Sequence, residues 1–274
     1  MGLCIAVGLS LMGGMTKAYG AVNDLQLTWI QARVAASHLN GIGIAYFRMS
    51  TKAGKRFFRD YDAPPKPVVV YMHGCTGFSA EDRKVIKQIA EAGFIVVAPD
   101  SMARAYRPRQ CLSRAKKGGA HPFVFDFRQA EINYALDNLW QQPWVDWDNL
   151  FLVGVSEGGL ATAHYRGDYF RARVITQWTC QGAPLVQGIS APDDTPILSI
   201  VQKNDPWYNG AESQQSGHCG SFFGDRPGST SIIIDGDSEH RVMQDDKVMD
   251  RIIQFLNDNL APVAEPLSPS DLVE

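Results

Sequence analysis

The chain has 274 residues, 45% of them hydrophobic, and a formal net charge of −3. That length and apolar content suffice for one large α/β domain with a sizeable core. The nearly balanced charge leaves no basic footprint and argues against nucleic acid as a partner.

The first twenty residues are apolar to about Met15 and close on Ala18–Tyr19–Gly20, which sets small residues at the −3 and −1 positions before Ala21. Residues 1–20 are read as an export signal, although no Lys or Arg precedes the apolar stretch. The stretch is shorter than the roughly 20 residues that cross a bilayer, so no stable membrane anchor is expected after processing. Residues 21–260 are expected to form the folded domain. Within them "IGIAYFRM" predicts an early strand and "VVVYMHG" from Val68 a buried one. Ser79 to Ala92 carries Val85, Ile86, Ile89 and Ala90 at helical spacing, with Ser79 as N-cap and Gly93 as stop. "FIVVAPD" follows as a buried strand. A longer helix is predicted from Phe125 to Gln142, with Ile132, Leu136, Leu139 and Trp140 on one face, ending before Pro143. Phe151 to Val155 reads as a strand and Gly158 to Tyr165 as a helix. "RVITQW", "PILSIVQKND" and "SIIID" are three more short strands, and a last helix from Val242 to Leu260 buries Met249, Ile252 and Leu256. Residues 261–274 hold three prolines, three acids and no basic residue, and read as a disordered tail.

Strands alternating with helices predict an α/β fold, a mainly parallel sheet covered by helices on both faces. Active groups in such sheets collect beyond the carboxyl ends of the strands. Just past those ends lie His73–Gly74–Cys75–Thr76–Gly77, Ser156, Asn204–Asp205 and the "DGDSEH" segment that delivers His240. A glycine-rich loop, a hydroxyl, a carboxylate and an imidazole thus arise in the order Ser, Asp, His used for nucleophilic catalysis. Gly154 and Gly158 flank Ser156 with the Gly–x–Ser–x–Gly spacing of a strand that turns sharply into a helix. The spacing alone is a weak signal; the strand before it and the helix after it give it weight.

Each residue type answers a chemical need. A serine hydroxyl is a poor nucleophile at neutral pH, so His240 would take the Ser156 proton and later return it to the leaving group. Asp205 would fix the tautomer and orientation of His240. The backbone N–H groups of Cys75 and Glu157 would receive the negative charge that grows on the carbonyl oxygen. Asp193 and Asp194 precede their strand, and Asp235 and Asp237 lie too close to His240 in the chain, which leaves Asp205 as the better acid. His73 is expected to shape its loop rather than act as a base, and His164 and His218 to be structural or surface residues. Glu157 contributes its backbone, with a steering role for its side chain as the rival view.

The segments "YMHGCTGF", "FIVVAPDS", "WVDWDNLFLVGVSEGG", "QKND" and "EH", spread from about Val68 to Leu260, resemble the α/β-hydrolase superfamily and, within it, the dienelactone hydrolase family. The resemblance implies the α/β-hydrolase fold and a small-molecule ester or lactone as substrate; no cofactor and no metal is expected. Ser156 stands where that family's best-known members carry cysteine, which favours a broader carboxylic ester hydrolase working through an acyl-enzyme. A non-catalytic binding protein of the same fold and an acyltransferase with the same residues are the alternatives.

Beyond Cys4 the chain keeps Cys75, Cys111, Cys180 and Cys219, an even number that suits two disulfides in an exported, periplasmic or secreted protein. The strand order of the resembled fold makes the strands before Cys75 and Cys111 neighbours, and likewise those before Cys180 and Cys219. It therefore implies the pairs Cys75–Cys111 and Cys180–Cys219. The segment from Ser101 to Phe125 carries six Lys and Arg and no acid. Such a charge run reads first as a solvated face; the alternative is that Arg104 and Arg107 overhang the pocket and attract an anionic substrate, such as an ester bearing a free carboxylate. Trp207, Tyr208, Phe222 and Phe223 are expected either to line an apolar wall or to fill core.

Overall fold

The computed structural model describes residues 24–38, 42–121, 123–183, 186–208, 217–236 and 240–262. The export signal, and the tail beyond its first two residues, lie outside them. Eight strands form one sheet: β1 (Arg33–Ser37), β2 (Ile44–Arg48), β3 (Lys66–Met72), β4 (Ile95–Ala98), β5 (Val145–Val155), β6 (Ala172–Thr176), β7 (Ile197–Gln202) and β8 (Thr230–Ile234). Their spatial order is β2-β1-β4-β3-β5-β6-β7-β8. β1 runs antiparallel to both β2 and β4, and every pair from β4 to β8 is parallel. The expected mainly parallel α/β sheet is thus present.

Alternate residues of the central strands go to opposite faces, as the pleat requires. Val69, Tyr71, Phe151 and Val153 join one buried cluster, while Val68, Val70, Leu150 and Leu152 join the other. Helix α2 (Ala80–Glu91) and helix α5 (Asp246–Asp258) contribute to the first cluster through Val85, Ile86, Ile89, Met249, Ile252 and Leu256. Helix α3 (Val124–Leu139) contributes to the second through Ile132, Leu136 and Leu139. Ser79 caps α2 as expected: its hydroxyl accepts from the Asp82 N–H, and the Asp82 carboxylate accepts from the Ser79 N–H at 2.7 Å.

Several boundaries differ from expectation. β1 and helix α1 (Lys52–Arg59) are not anticipated by the sequence patterns, and β5 begins six residues earlier, at Val145 rather than Phe151. Helix α3 stops at Leu139, so Trp140 leaves the buried face and is 70% exposed, packed edge-on against Trp147. The last helix begins at Asp246 with Asp245 as N-cap; a 3₁₀ turn, Val242–Gln244, precedes it.

The register aligns the carboxyl ends on one rim. Met72 lies beside Gly154, Val155 beside Thr176, Thr176 beside Ile200, and Gln202 beside Ile234. Residues that leave β3, β5, β6, β7 and β8 therefore emerge side by side.

Candidate active site

Ser156 sits between β5 and helix α4 (Glu157–His164) with φ 56° and ψ −116°, a backbone conformation that L side chains rarely adopt. Its N–H is held by the Thr176 carbonyl at 2.8 Å, and its own carbonyl starts the helix by accepting from Leu160. The flanking glycines are a steric necessity. A Cβ on Gly154 would lie 2.1 Å from the Gly158 carbonyl oxygen, and one on Gly158 would lie 1.9 Å from that of Met72. The turn can tuck against the sheet only without those side chains.

Asp205, fully buried past the end of β7, engages a donor with each of its carboxylate oxygens. One oxygen faces His240 Nδ1 at 2.6 Å and the other accepts the Trp207 N–H at 2.9 Å. His240 has φ 68° and lies against the Trp207 ring, with centroids 5.1 Å apart. Tyr208 packs at its edge, and burial first, then the charge of Asp205, pushes the Tyr208 phenol far above its ordinary range. Ser156, His240 and Trp207 border one continuous opening. The opening has two compartments: a cleft of about 230 Å³ with a mixed polar and apolar lining, and a recess of about 50 Å³.

Cys75 borders both compartments, and the Glu157 residue borders the recess. Cys75 is bonded to Cys111, and Cys180 to Cys219, the pairing implied by the resemblance. Gly74, one residue earlier, has its Cβ position 3.6 Å from the Ser156 Cβ, so the loop after β3 runs directly over the serine. The first-turn N–H groups of α4, Glu157 among them, have no partner within the helix.

Beneath this surface lies a network of charges that the sequence patterns do not reveal. Arg104, Arg128, Glu131 and Glu157 are buried, as is Asp24, and the Arg107 side chain is only 8% exposed. Arg107 donates to Glu157 Oε1 at 2.5 Å and to Ser101 Oγ at 2.8 Å. Arg128 bonds Glu131 at 3.1 Å and the His73 carbonyl at 2.7 Å. Arg104 bonds Asp24 at 3.1 Å and reaches Glu131 at 3.5 Å. Three guanidinium groups thus meet three carboxylates, which is how such charges are retained in an interior. Burial still raises the Glu157 carboxyl, against the opposing pull of Arg128 and Arg107. The reading that Arg104 and Arg107 overhang the pocket is therefore corrected: neither borders the opening, because buried carboxylates already hold both. The Glu157 side chain is likewise committed to Arg107, which disfavours its steering a substrate.

His73 is fully buried; its Nε2 accepts the Ser101 N–H at 3.0 Å while Nδ1 donates to the Gly74 carbonyl at 2.7 Å. Burial first, and then Arg128, lowers its pKa well below the ordinary value, so it shapes the loop as a neutral ring. His164 bonds Ser190 and His218 bonds Ser231, each a structural contact. Trp207 and Tyr208 wall the recess, whereas Phe222 and Phe223 pack on the cluster around Trp178 and the Cys180–Cys219 bridge. The sequence reading misses Gln177, whose φ of 56° turns it off the end of β6 into both compartments. Its side-chain amide donates to the His240 carbonyl. The predicted strand "RVITQW" runs through Gln177, so the strand-end rule passes over it; β6 ends at Thr176, which makes Gln177 the residue just past the strand.

The model of the dienelactone hydrolase family matches residues 56–215. Among solved structures, the chain is similar to a dienelactone hydrolase-like promiscuous phosphotriesterase from metagenomic libraries, at 14% identity and TM-score 0.53, covering 84% of this chain and 100% of that one. It is also similar to a hyperthermophilic esterase from the archaeon Pyrobaculum calidifontis, at 15% identity and TM-score 0.51, covering 93% and 95%. An S-formylglutathione hydrolase from Agrobacterium tumefaciens matches at 18% identity and TM-score 0.51, covering 72% and 86%. At these identities the likeness concerns the fold. No curated protein matches the chain.

Proposed function

Since the chain belongs to the dienelactone hydrolase family and so is a carboxylic ester hydrolase, a lactone being an internal ester, we propose that it acts as a serine hydrolase through Ser156. The observation that carries this reading is the 2.6 Å contact of His240 Nδ1 with Asp205, on an opening that the strained Ser156 also borders. A carboxylate can only accept, so Nδ1 carries the ring proton and Nε2 is the nitrogen able to take one. His240 draws the proton from Ser156 Oγ as that oxygen bonds to the ester carbonyl carbon. The carbonyl electron pair moves to oxygen, where the N–H groups of Cys75 and Glu157 receive the charge. Collapse expels the alcohol with the proton from His240 and leaves the acyl group on Ser156. Water, deprotonated by His240, then repeats the sequence and releases the acid.

The substrates are small or medium carboxylic esters or lactones. Two disulfides suit an oxidising compartment, and no helix among the described residues is long and apolar enough to cross a membrane. With residues 1–20 read as an export signal, the mature enzyme works in the periplasm or outside the cell. The test is a fluorophosphonate probe applied to wild type and to Ser156→Ala, beside ester turnover. Labelling and turnover both abolished by the substitution are expected; labelling or turnover that survives it refutes the assignment.

A further inference from the structure

The buried charges beneath the opening gather on Arg128, a fully buried residue of α3 that reaches two separate elements of the site. One arm of its guanidinium donates to the His73 carbonyl at 2.7 Å, where the chain leaves β3. The other arm bonds Glu131 at 3.1 Å, and Nε lies 3.6 Å from Glu157 Oε1, the oxygen that Arg107 also holds. The two elements are in close contact: a Cβ on Gly158 of α4 would come within 2.9 Å of the His73 carbonyl oxygen.

From His73 the grip passes to the Cys75 N–H through a single peptide unit. The Ser101 N–H can only donate, so His73 Nε2 accepts and, in the neutral ring, Nδ1 carries the proton. That proton goes to the Gly74 carbonyl at 2.7 Å, which also accepts from the Gly77 N–H at 3.2 Å. The Gly74 carbonyl and the Cys75 N–H belong to one planar trans peptide and point in opposite directions, so fixing the first aims the second. On the other element, the Glu157 side chain is held between Arg107 and Arg128, and the N–H of the same residue is the second proposed donor. Buried ion pairs add little stability over apolar side chains of equal size. This network instead fixes the positions of both donors.

Resting on the serine hydrolase reading, we infer that Arg128 is a positioning residue, which sets the separation of the two oxyanion donors by holding the His73 carbonyl on one side and the Glu157 carboxylate on the other. Arg128 borders neither compartment and therefore acts through those partners alone. Its effect is felt when charge grows on the carbonyl oxygen, in the formation and in the breakdown of the acyl-enzyme, and not in ground-state binding.

The experiment pairs Arg128→Met with Arg104→Met. Arg104 belongs to the same network through Asp24 and Glu131, and no bond joins it to His73 or Glu157 among the described residues. Each variant is measured for kcat and KM on p-nitrophenyl butanoate, for Tm by circular dichroism, and for inhibition by propyl trifluoromethyl ketone, which a serine attacks to leave an oxyanion in the place of the transition state's. Arg128→Met is expected to lower kcat by about tenfold to a hundredfold with KM changed no more than about threefold, and to weaken the ketone by the same factor as kcat/KM. Arg104→Met should also lower Tm, yet keep kcat and ketone affinity within about threefold of wild type. Arg128→Lys keeps the charge and replaces the planar fork by one ammonium, so it should lose about tenfold in kcat and in ketone affinity alike. Values close to wild type in Arg128→Met, or in Arg128→Lys should the methionine variant not fold, overturn the assignment. So do equal losses in Arg104→Met, or a loss confined to KM. A wild type that neither hydrolyses esters nor binds the ketone overturns the serine hydrolase reading itself.

Discussion

Replacing the Cys75–Cys111 bridge by alanines should separate what a disulfide does for stability from what it does for catalysis. The bridge spans 36 residues and Cys180–Cys219 spans 39. The loop-closure relation assigns each about 13 cal/mol/K, or about 4 kcal/mol at 25 °C, with a difference between them of only about 0.1 kcal/mol. For a domain of this size each double variant should lose roughly 8–16 °C in Tm. Their kinetics should diverge. Cys75 carries a proposed oxyanion donor on a loop that passes over Ser156, and Cys111 is its tether. Freeing the loop should cut kcat by about tenfold to a hundredfold, below the roughly 10²–10³ lost when a donor is removed outright. Neither Cys180 nor Cys219 borders the opening, and their loss should change kcat by no more than about threefold. Urea and thermal unfolding followed by circular dichroism, with ester kinetics measured well below both midpoints, provide the comparison. Equal losses of kcat in the two variants would refute the assignment of an oxyanion donor to the Cys75 loop.

Acid should destabilise the fold through His164, whose pKa is lowered from 6.5 to about 4, mainly by burial and then by Arg166. The unfolded chain takes up that proton first, so stability present above pH 6.5 is lost as pH falls toward about 4. The loss is on the order of 3 kcal/mol and should be absent from the pH dependence of urea midpoints in His164→Gln. Arg107→Met should cost roughly 3–5 kcal/mol by leaving Glu157 short of a partner, and should leave the relative rates on anionic and neutral esters unchanged. Denaturation and paired kinetics test both halves, and a selective loss of anionic turnover would restore a substrate role for Arg107. Gln177→Ala should lower kcat by about tenfold with little change in KM, because the amide fixes the backbone that carries His240. Unchanged kcat would remove Gln177 from the site.

The central strands are legible in the sequence because they are buried on both faces and spell uninterrupted Val, Ile and Leu runs. β1, "RVAAS", is rich in alanine and too short to give a period, and α1, "KAGKRFFR", carries a glycine and a charged face. Neither reaches the contrast that pattern reading needs. Trp140 is misplaced because one residue beyond a helix end the 3.6-residue period no longer applies. Ser156, Asp205 and His240 follow from a rule about strand ends, which holds wherever strands run parallel to a common rim. Arg104 and Arg107 are misjudged for the opposite reason. Basic residues in a loop read as solvated or ligand-seeking, and their partners Asp24, Glu131 and Glu157 are scattered through 133 residues. Only folding brings those charges together.

The most direct test of the proposed chemistry is to quench the enzyme with acid during turnover of a slowly released ester and map the added mass. The account predicts one acyl group, on the peptide that contains Ser156, absent from Ser156→Ala and Gly-flanked at the elbow as the sequence dictates. An acyl group on any other residue, or undiminished turnover by Ser156→Ala, would contradict it.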